Sequence, residues 1–190
     1  MGQNVLSQKF NSKKDVYTVS ASSGKIINNT FKIGGGFYYR FYEHYYDYIK
    51  NNETLVAEQY PHYTENPYGY ATNFGLFATS ELLIDHFGFA LDFGLNIYKP
   101  FYKVDWQINQ GYTYQNLNNQ TFEVLGELNW YYEIKRTIST RMGIKYYLWT
   151  TNRAPQHNIF IGAHINANLG QADFTELSLG YVHRLGVKIN

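Results

Sequence analysis

The sequence predicts an all-β protein, an eight-stranded antiparallel up-and-down transmembrane β-barrel. Three observations lead there. Alternation of apolar and polar residues with period two dominates the chain, and helical periodicity is scarce. Aromatic residues make up 19% of the chain and charged residues only 16%, below the ~25% charged of typical soluble domains. No stretch approaches the roughly 18 uncharged apolar residues of a membrane helix, and mean hydropathy is −0.43. Such a composition suits either a soluble barrel or a membrane barrel whose hydrophobicity is hidden by alternation.

The length of 190 residues fits one domain over 1–190. Residues 1–13 read as a flexible N-terminal segment. Eight strands follow, over 14–22, 31–46, 70–83, 86–99, 120–134, 137–149, 157–168 and 172–185. The fourth is the clearest. Phe87, Phe89, Leu91, Phe93, Leu95 and Ile97 share one face, with Gly88, Ala90, Asp92, Gly94 and Asn96 on the other. In the fifth, Phe122, Val124, Leu128, Trp130 and Tyr132 oppose Glu123, Glu127 and Asn129. In the sixth, Met142, Ile144 and Tyr146 oppose Arg141, Gly143 and Lys145. The segment 51–70, with Pro61 and Pro67, reads as a loop.

Alternation does not say which face lies inside. Glycine placement favours a polar interior. Gly34, Gly36, Gly75, Gly88, Gly94, Gly143, Gly162 and Gly180 all fall on the polar faces. Glycine weakens an open strand surface, but it makes room inside a narrow barrel. Polar faces of neighbouring strands also mix signs, so Glu123 and Glu127 are expected to meet Arg141 and Lys145, as buried charges require. The apolar face then points to lipid. Aromatics near strand ends fit interfacial girdles. Tyr45, Tyr46, Phe101, Tyr102, Tyr146, Trp149 and Tyr181 are expected at one rim, with Trp130 and Tyr132 at the other. One feature conflicts. With both termini on the periplasmic side, the short connections would face outward, whereas outer-membrane barrels keep short turns inside. No secretory signal is visible at Met1-Gly2-Gln3-Asn4.

A net charge of +1 argues against a nucleic-acid partner. The chain has no cysteine, which excludes a disulfide framework, a thiolate metal site and a cysteine nucleophile. Nucleotide and zinc-protease motifs are absent, and neither a cofactor nor a metal site is expected. The distinctive polar group lies near the C-terminus. Period two puts His164, Asn166 and Asn168 on one strand face, and a short turn brings Asp173 or Glu176 beside His164. A carboxylate that orients a histidine belongs to acyl-transfer sites. A hydrogen-bonded interior cluster is the simpler reading of the spacing alone.

This C-terminal pair of strands resembles the end of the outer-membrane lipid A 3-O-deacylases, the acyloxyacyl-hydrolase-like barrels. In that family a His-x-Ser-Asn strand is followed by an acidic residue and a closing segment that ends in Tyr. His164 matches the histidine, and the segment from Asp173 to Tyr181 matches the closing segment. The resemblance implies an eight-stranded barrel in the bacterial outer membrane, ester hydrolysis of a lipid A acyl chain, and outer-membrane lipid and lipopolysaccharide as partners. It nominates His164 as base and Asp173 as its orienting acid. It departs at the nucleophile, because the family serine falls on Asn166, an amide that forms no acyl-enzyme as serine does. Facing differs as well. Parity turns His164 and Asn166 inward and Asp173 outward, which makes Glu176 the second candidate acid. The alternatives are a non-catalytic structural outer-membrane barrel and a soluble lipocalin-like barrel that binds an apolar ligand.

Overall fold

The computed structural model describes residues 1–4, 12–116 and 118–185. Eight antiparallel strands form a ring: β1 (Gly2–Asn4), β2 (Lys14–Ile27), β3 (Phe31–Tyr42), β4 (Thr72–Ile84), β5 (Phe87–Tyr98), β8 (Ile138–Tyr147), β9 (His157–Asn168) and β10 (Gln171–His183). Each pairs with its neighbour in sequence order along the ring, and β1 joins β10 to β2. The connection after β3 carries helices α1 (Glu43–Lys50), α2 (Thr54–Gln59) and α3 (Pro67–Tyr70). The connection after β5 carries α4 (Tyr102–Asn109), a hairpin of β6 (Tyr112–Gln115) with β7 (Thr121–Val124), and α5 (Trp130–Thr137). Among the described residues, no helix is long and apolar enough to cross a membrane.

Two expectations about the strand set change. Residues 120–134 do not form a ring strand. Only Thr121–Val124 is extended, and α5 begins at Trp130. The reason is local. The Asn129 carboxamide accepts from the amides of Tyr131 and Tyr132, an N-cap that starts a helix. Glu133 in the first turn and Lys135 and Arg136 in the last suit the helix dipole. The eighth strand is instead Gly2–Asn4, which was expected to be flexible. It pairs Gly2 with both Glu176 and Val16. The rest of the expected flexible segment, 5–11, lies outside the described residues.

Moving one strand to the front also changes which connections share an end of the ring. The short turns 28–30 and 85–86 lie at the end of the ring where β10 finishes, whereas β1 sits partway along its height, beside Val16 and Glu176. The long helical connections lie at the other end, together with the tight turn 169–170. The turns owe their tightness to left-handed backbone. Asn28 and Asn29 have φ of 51° and 55°, and Leu169 and Gly170 have φ of 44° and 82°. Consecutive positive φ values make turns whose twist matches the strands, in the three-residue loop 28–30 and the two-residue loop 169–170.

The two faces separate as alternation requires. Outward residues on β5, from Phe87 through Ile97, are exposed, as are Leu177 and Leu179 on β10 at 70% and 77%. Inward positions carry Arg40, Glu81, Asp92, Lys145, His164, Asn166 and Glu176, all buried. Glycines on the inward faces make room as expected. A Cβ at Gly88 would collide with the Glu81 carboxylate, and one at Gly143 with the His164 ring.

The apolar core lies beneath the helices at one mouth of the ring. Tyr42, Tyr45, Tyr48, Tyr63 and Phe101 bury one another there, with Tyr45 and Phe101 stacked at 4.4 Å. Tyr102, Trp106 and Tyr132 form a second cluster. This corrects the expected girdles. Tyr45, Phe101 and Tyr102 share a mouth with Tyr132 as cap packing, whereas Tyr146, Trp149 and Tyr181 stand near the opposite end.

The wall is fully paired over only part of its height. β1 covers β2 from Lys14 to Val16 and β10 at Thr175 and Glu176. Among the described residues no strand lies between Tyr17–Ile27 and Ser178–His183. A cleft of about 910 Å³ opens there, lined by Ser20, Ser22, Lys145, Glu176 and Ser178.

Candidate functional site

The interior network is built by ladder register. Asp92 on β5 stands opposite Arg141 on β8, Arg141 opposite Asn166 on β9, and His164 opposite Glu176 on β10. All face inward, so a charged band crosses four adjacent strands. The Arg141 guanidinium donates to Glu176 Oε1 at 2.7 Å and Oε2 at 3.3 Å, and to Asp92 Oδ2 at 3.1 Å. Asn166 Nδ2 donates to Glu176 Oε2 at 2.9 Å, and Arg40 donates to Asn166 Oδ1 at 2.9 Å. Farther along the interior, Glu81 receives Lys145 at 2.9 Å and the Tyr147 hydroxyl. The expected Glu123 and Glu127 pairings are replaced by these, because the segment holding them left the ring. Charges out of water need such partners, and here each carboxylate has a cation.

His164, Asn166 and Glu176 therefore come together, as parity required. The chemistry between them differs from an acyl-transfer triad. In such a triad the carboxylate accepts from Nδ1–H and leaves Nε2 free to take a proton. Here a guanidinium N–H of Arg141 points at His164 Nδ1 at 3.1 Å. Arginine only donates, so Nδ1 is the acceptor and the neutral ring carries its proton on Nε2. No lone pair is left for a substrate. His164 Nε2 itself is buried without a partner. Glu176, the orienting acid by parity, is held by Arg141 and Asn166.

Asp173 is separated from this group, which corrects its nomination as the acid that orients His164. Pairing of β10 with β9 shifts between Ala172 and Phe174, a bulge that leaves Asp173 without a partner on β9. The extra residue reverses the parity, and the side chain turns inward to 6% exposure. There Asp173 Oδ2 accepts from the Tyr42 hydroxyl at 2.9 Å and pairs with Lys99 at 3.4 Å. Lys99 also donates to Asn168 at 2.8 Å. This second polar group sits under the aromatic cap.

Two groups in the cap carry shifted protonation. Burial, with the Asp173 charge adding to it, raises the Asp105 carboxyl to about 7. Burial lowers His44 to about 4, and both its ring nitrogens lack a partner.

Reading the sequence singled out the inward parity of Arg141 but missed its role as the hub, and it missed Arg40, Lys99 and Asp92 as partners. The signal for Asp92 was present, since it is the only charge on the glycine-rich face of β5. Among the described residues, no group of three or more His, Cys, Asp or Glu is placed to hold a metal. No family model matches the chain, and no curated protein or solved structure does either.

Proposed function

We propose that the protein is a membrane-spanning barrel of the bacterial outer-membrane type, with a salt-bridged interior that serves structure rather than catalysis. The Arg141 N–H on His164 Nδ1 carries the non-catalytic half of this reading, because it occupies the lone pair that a general base needs. The exposed apolar outer face supports the membrane half. Strands of 10 to 14 residues in β2–β5 and β8–β10 also match the ~9–11 residues that a tilted strand needs to cross the hydrocarbon. The turns 28–30 and 85–86 at one end and the two long helical connections at the other fit the arrangement of such barrels. Lipid and lipopolysaccharide are then the surroundings of the outer face.

The test is an arginine scan with two positions. Leu91→Arg at the middle of β5 should destabilise the chain folded into vesicles by ~2–4 kcal/mol, the cost at a bilayer midplane. Tyr114→Arg on the β6–β7 hairpin should cost almost nothing. Urea titration of both variants reads this, and equal small effects would defeat the membrane assignment.

A second reading is favoured by the convergence of His164, Asn166 and Glu176. Ester hydrolysis of a lipid A acyl chain would use His164 to activate water and Asn166 to steady the oxyanion. It requires Arg141 to leave Nδ1. Mass spectrometry of lipid A from expressing cells decides it. Loss of an acyl chain that disappears with His164→Ala supports hydrolysis, and lipid A unchanged by the wild-type chain removes it.

A further inference from the structure

A cluster of donor atoms stands apart from the interior network, on the outward face at the turn-bearing end of the ring. His157 opens β9 and His183 closes β10, and the ladder sets them directly opposite each other. Both are exposed. Their Nδ1 atoms lie 3.3 Å apart, with ring centroids at 4.8 Å. The Tyr181 hydroxyl, two residues before His183 on the same face, hydrogen-bonds to the same Nδ1 of His157. Among the described residues, no carboxylate forms an ion pair with either imidazole.

Two imidazole nitrogens facing each other can share one proton, or they can share a metal ion. The spacing suits the ion. Zn–N bonds are about 2.0–2.1 Å, and two ligands on a tetrahedron of that size stand about 3.4 Å apart. Backbone pairing on both strands holds this bite in advance, so little side-chain freedom is lost on binding. Neutral imidazole is a preferred ligand of zinc, copper and nickel. Exposure leaves the remaining positions to water, with the Tyr181 oxygen beside them.

We propose that His157 and His183 form a two-histidine site for a borderline divalent transition metal, with Tyr181 at its edge. Binding displaces the proton between the two nitrogens and clips the last strand pair at the rim. It adds a fixed link between β9 and β10 where, among the described residues, no strand lies on the far side of β10.

The test uses the whole folded chain in detergent, titrated calorimetrically with Cu²⁺ and separately with Zn²⁺. One equivalent should bind, copper more tightly than zinc as the general affinity order requires. The copper form should show electron paramagnetic resonance coupling to two nitrogens. Loss of an outer-shell partner alone costs about 10–100-fold in affinity. His157→Ala and His183→Ala should therefore each weaken binding at least about tenfold, while His62→Ala, at an exposed histidine in the cap, leaves it unchanged. Added metal should also raise the unfolding midpoint of the wild-type chain and not of either variant. All three substituted positions are exposed, and circular dichroism checks that the variants fold. Absence of one-equivalent binding in the wild-type chain, or its survival in both single variants, overturns the site.

Discussion

At the scale of single residues, the protein holds charges in places where only a partner makes them tolerable. Asp105, outside the strands, is the contrasting case, a buried acid that keeps its proton instead. Its carboxyl is raised to about 7 by burial and by the charge of Asp173, while Asn109 donates to it at 3.0 Å. An acid with a raised folded pKa keeps its proton in the folded state after the unfolded chain has lost it. Between roughly pH 4 and 7 the folded chain therefore binds more protons, and stability falls as pH rises through that window. Asp105→Asn removes the ionisation and keeps the shape. The variant should lose this part of the pH dependence, so that its unfolding midpoint changes less between pH 5 and pH 8 than the wild type's. A midpoint with the same pH slope in both chains would show that Asp105 is not the group responsible. His44 works in the opposite direction, since burial keeps its imidazole neutral down to about 4.

At the scale of elements, the left-handed turns show where local chemistry and the ladder disagree. Asn28 and Asn29 accept left-handed backbone readily, since asparagine tolerates it. Leu169 has no such tolerance, yet it takes a φ of 44° ahead of Gly170. The β9–β10 ladder, paired from Gln171 to His183, imposes it. A branched residue there carries about 1–2 kcal/mol of strain. Leu169→Asn should relieve it and raise stability by about 1 kcal/mol, read from chemical denaturation of the folded chain. No gain would mean that the Leu169 side chain contributes packing that offsets the strain. The same competition explains what could be read from the sequence. Strands with long uninterrupted alternation, such as Phe87–Tyr98, were legible because one face must exclude water over its whole length. Residues 120–134 alternate too, but the Asn129 cap and the helix dipole outweigh five alternating apolar residues. Gly2–Asn4 was illegible because three residues carry no period at all. Its pairing is decided by the two edges that it fits between.

At the scale of the whole molecule, two separate cores share the work. The ring interior is polar and charged, and the apolar core sits beneath the helices at one mouth. This inverts the usual globular plan, in which the centre is oily and the surface wet. Inward glycines foretold the polar interior, because a narrow ring filled with Arg141, Lys145 and Glu81 has room for little else. The aromatic cap was not foretold. Residues 43–46 read as the end of a strand and 51–70 as a loop, and the aromatic positions looked like rim girdles. The candidate site was legible as a set of residues and illegible as chemistry. Period two brought His164, Asn166 and Glu176 together, but no local pattern shows that Arg141, two strands from Glu176, reaches across to occupy the imidazole.

The extra residue on β10 sets the phase of the whole C-terminal strand. Residues before it and after it would fall on opposite faces if the chain were shortened by one. Deleting Ala172 would place Asp173 opposite Ala167, whose side chain points outward, and leave Lys99 buried without its counter-ion. The cap and the interior network therefore depend on a count of residues as much as on their identity. An insertion or deletion between Gly170 and Phe174 would be read by the fold as a frameshift in space, with every amino acid after it unchanged.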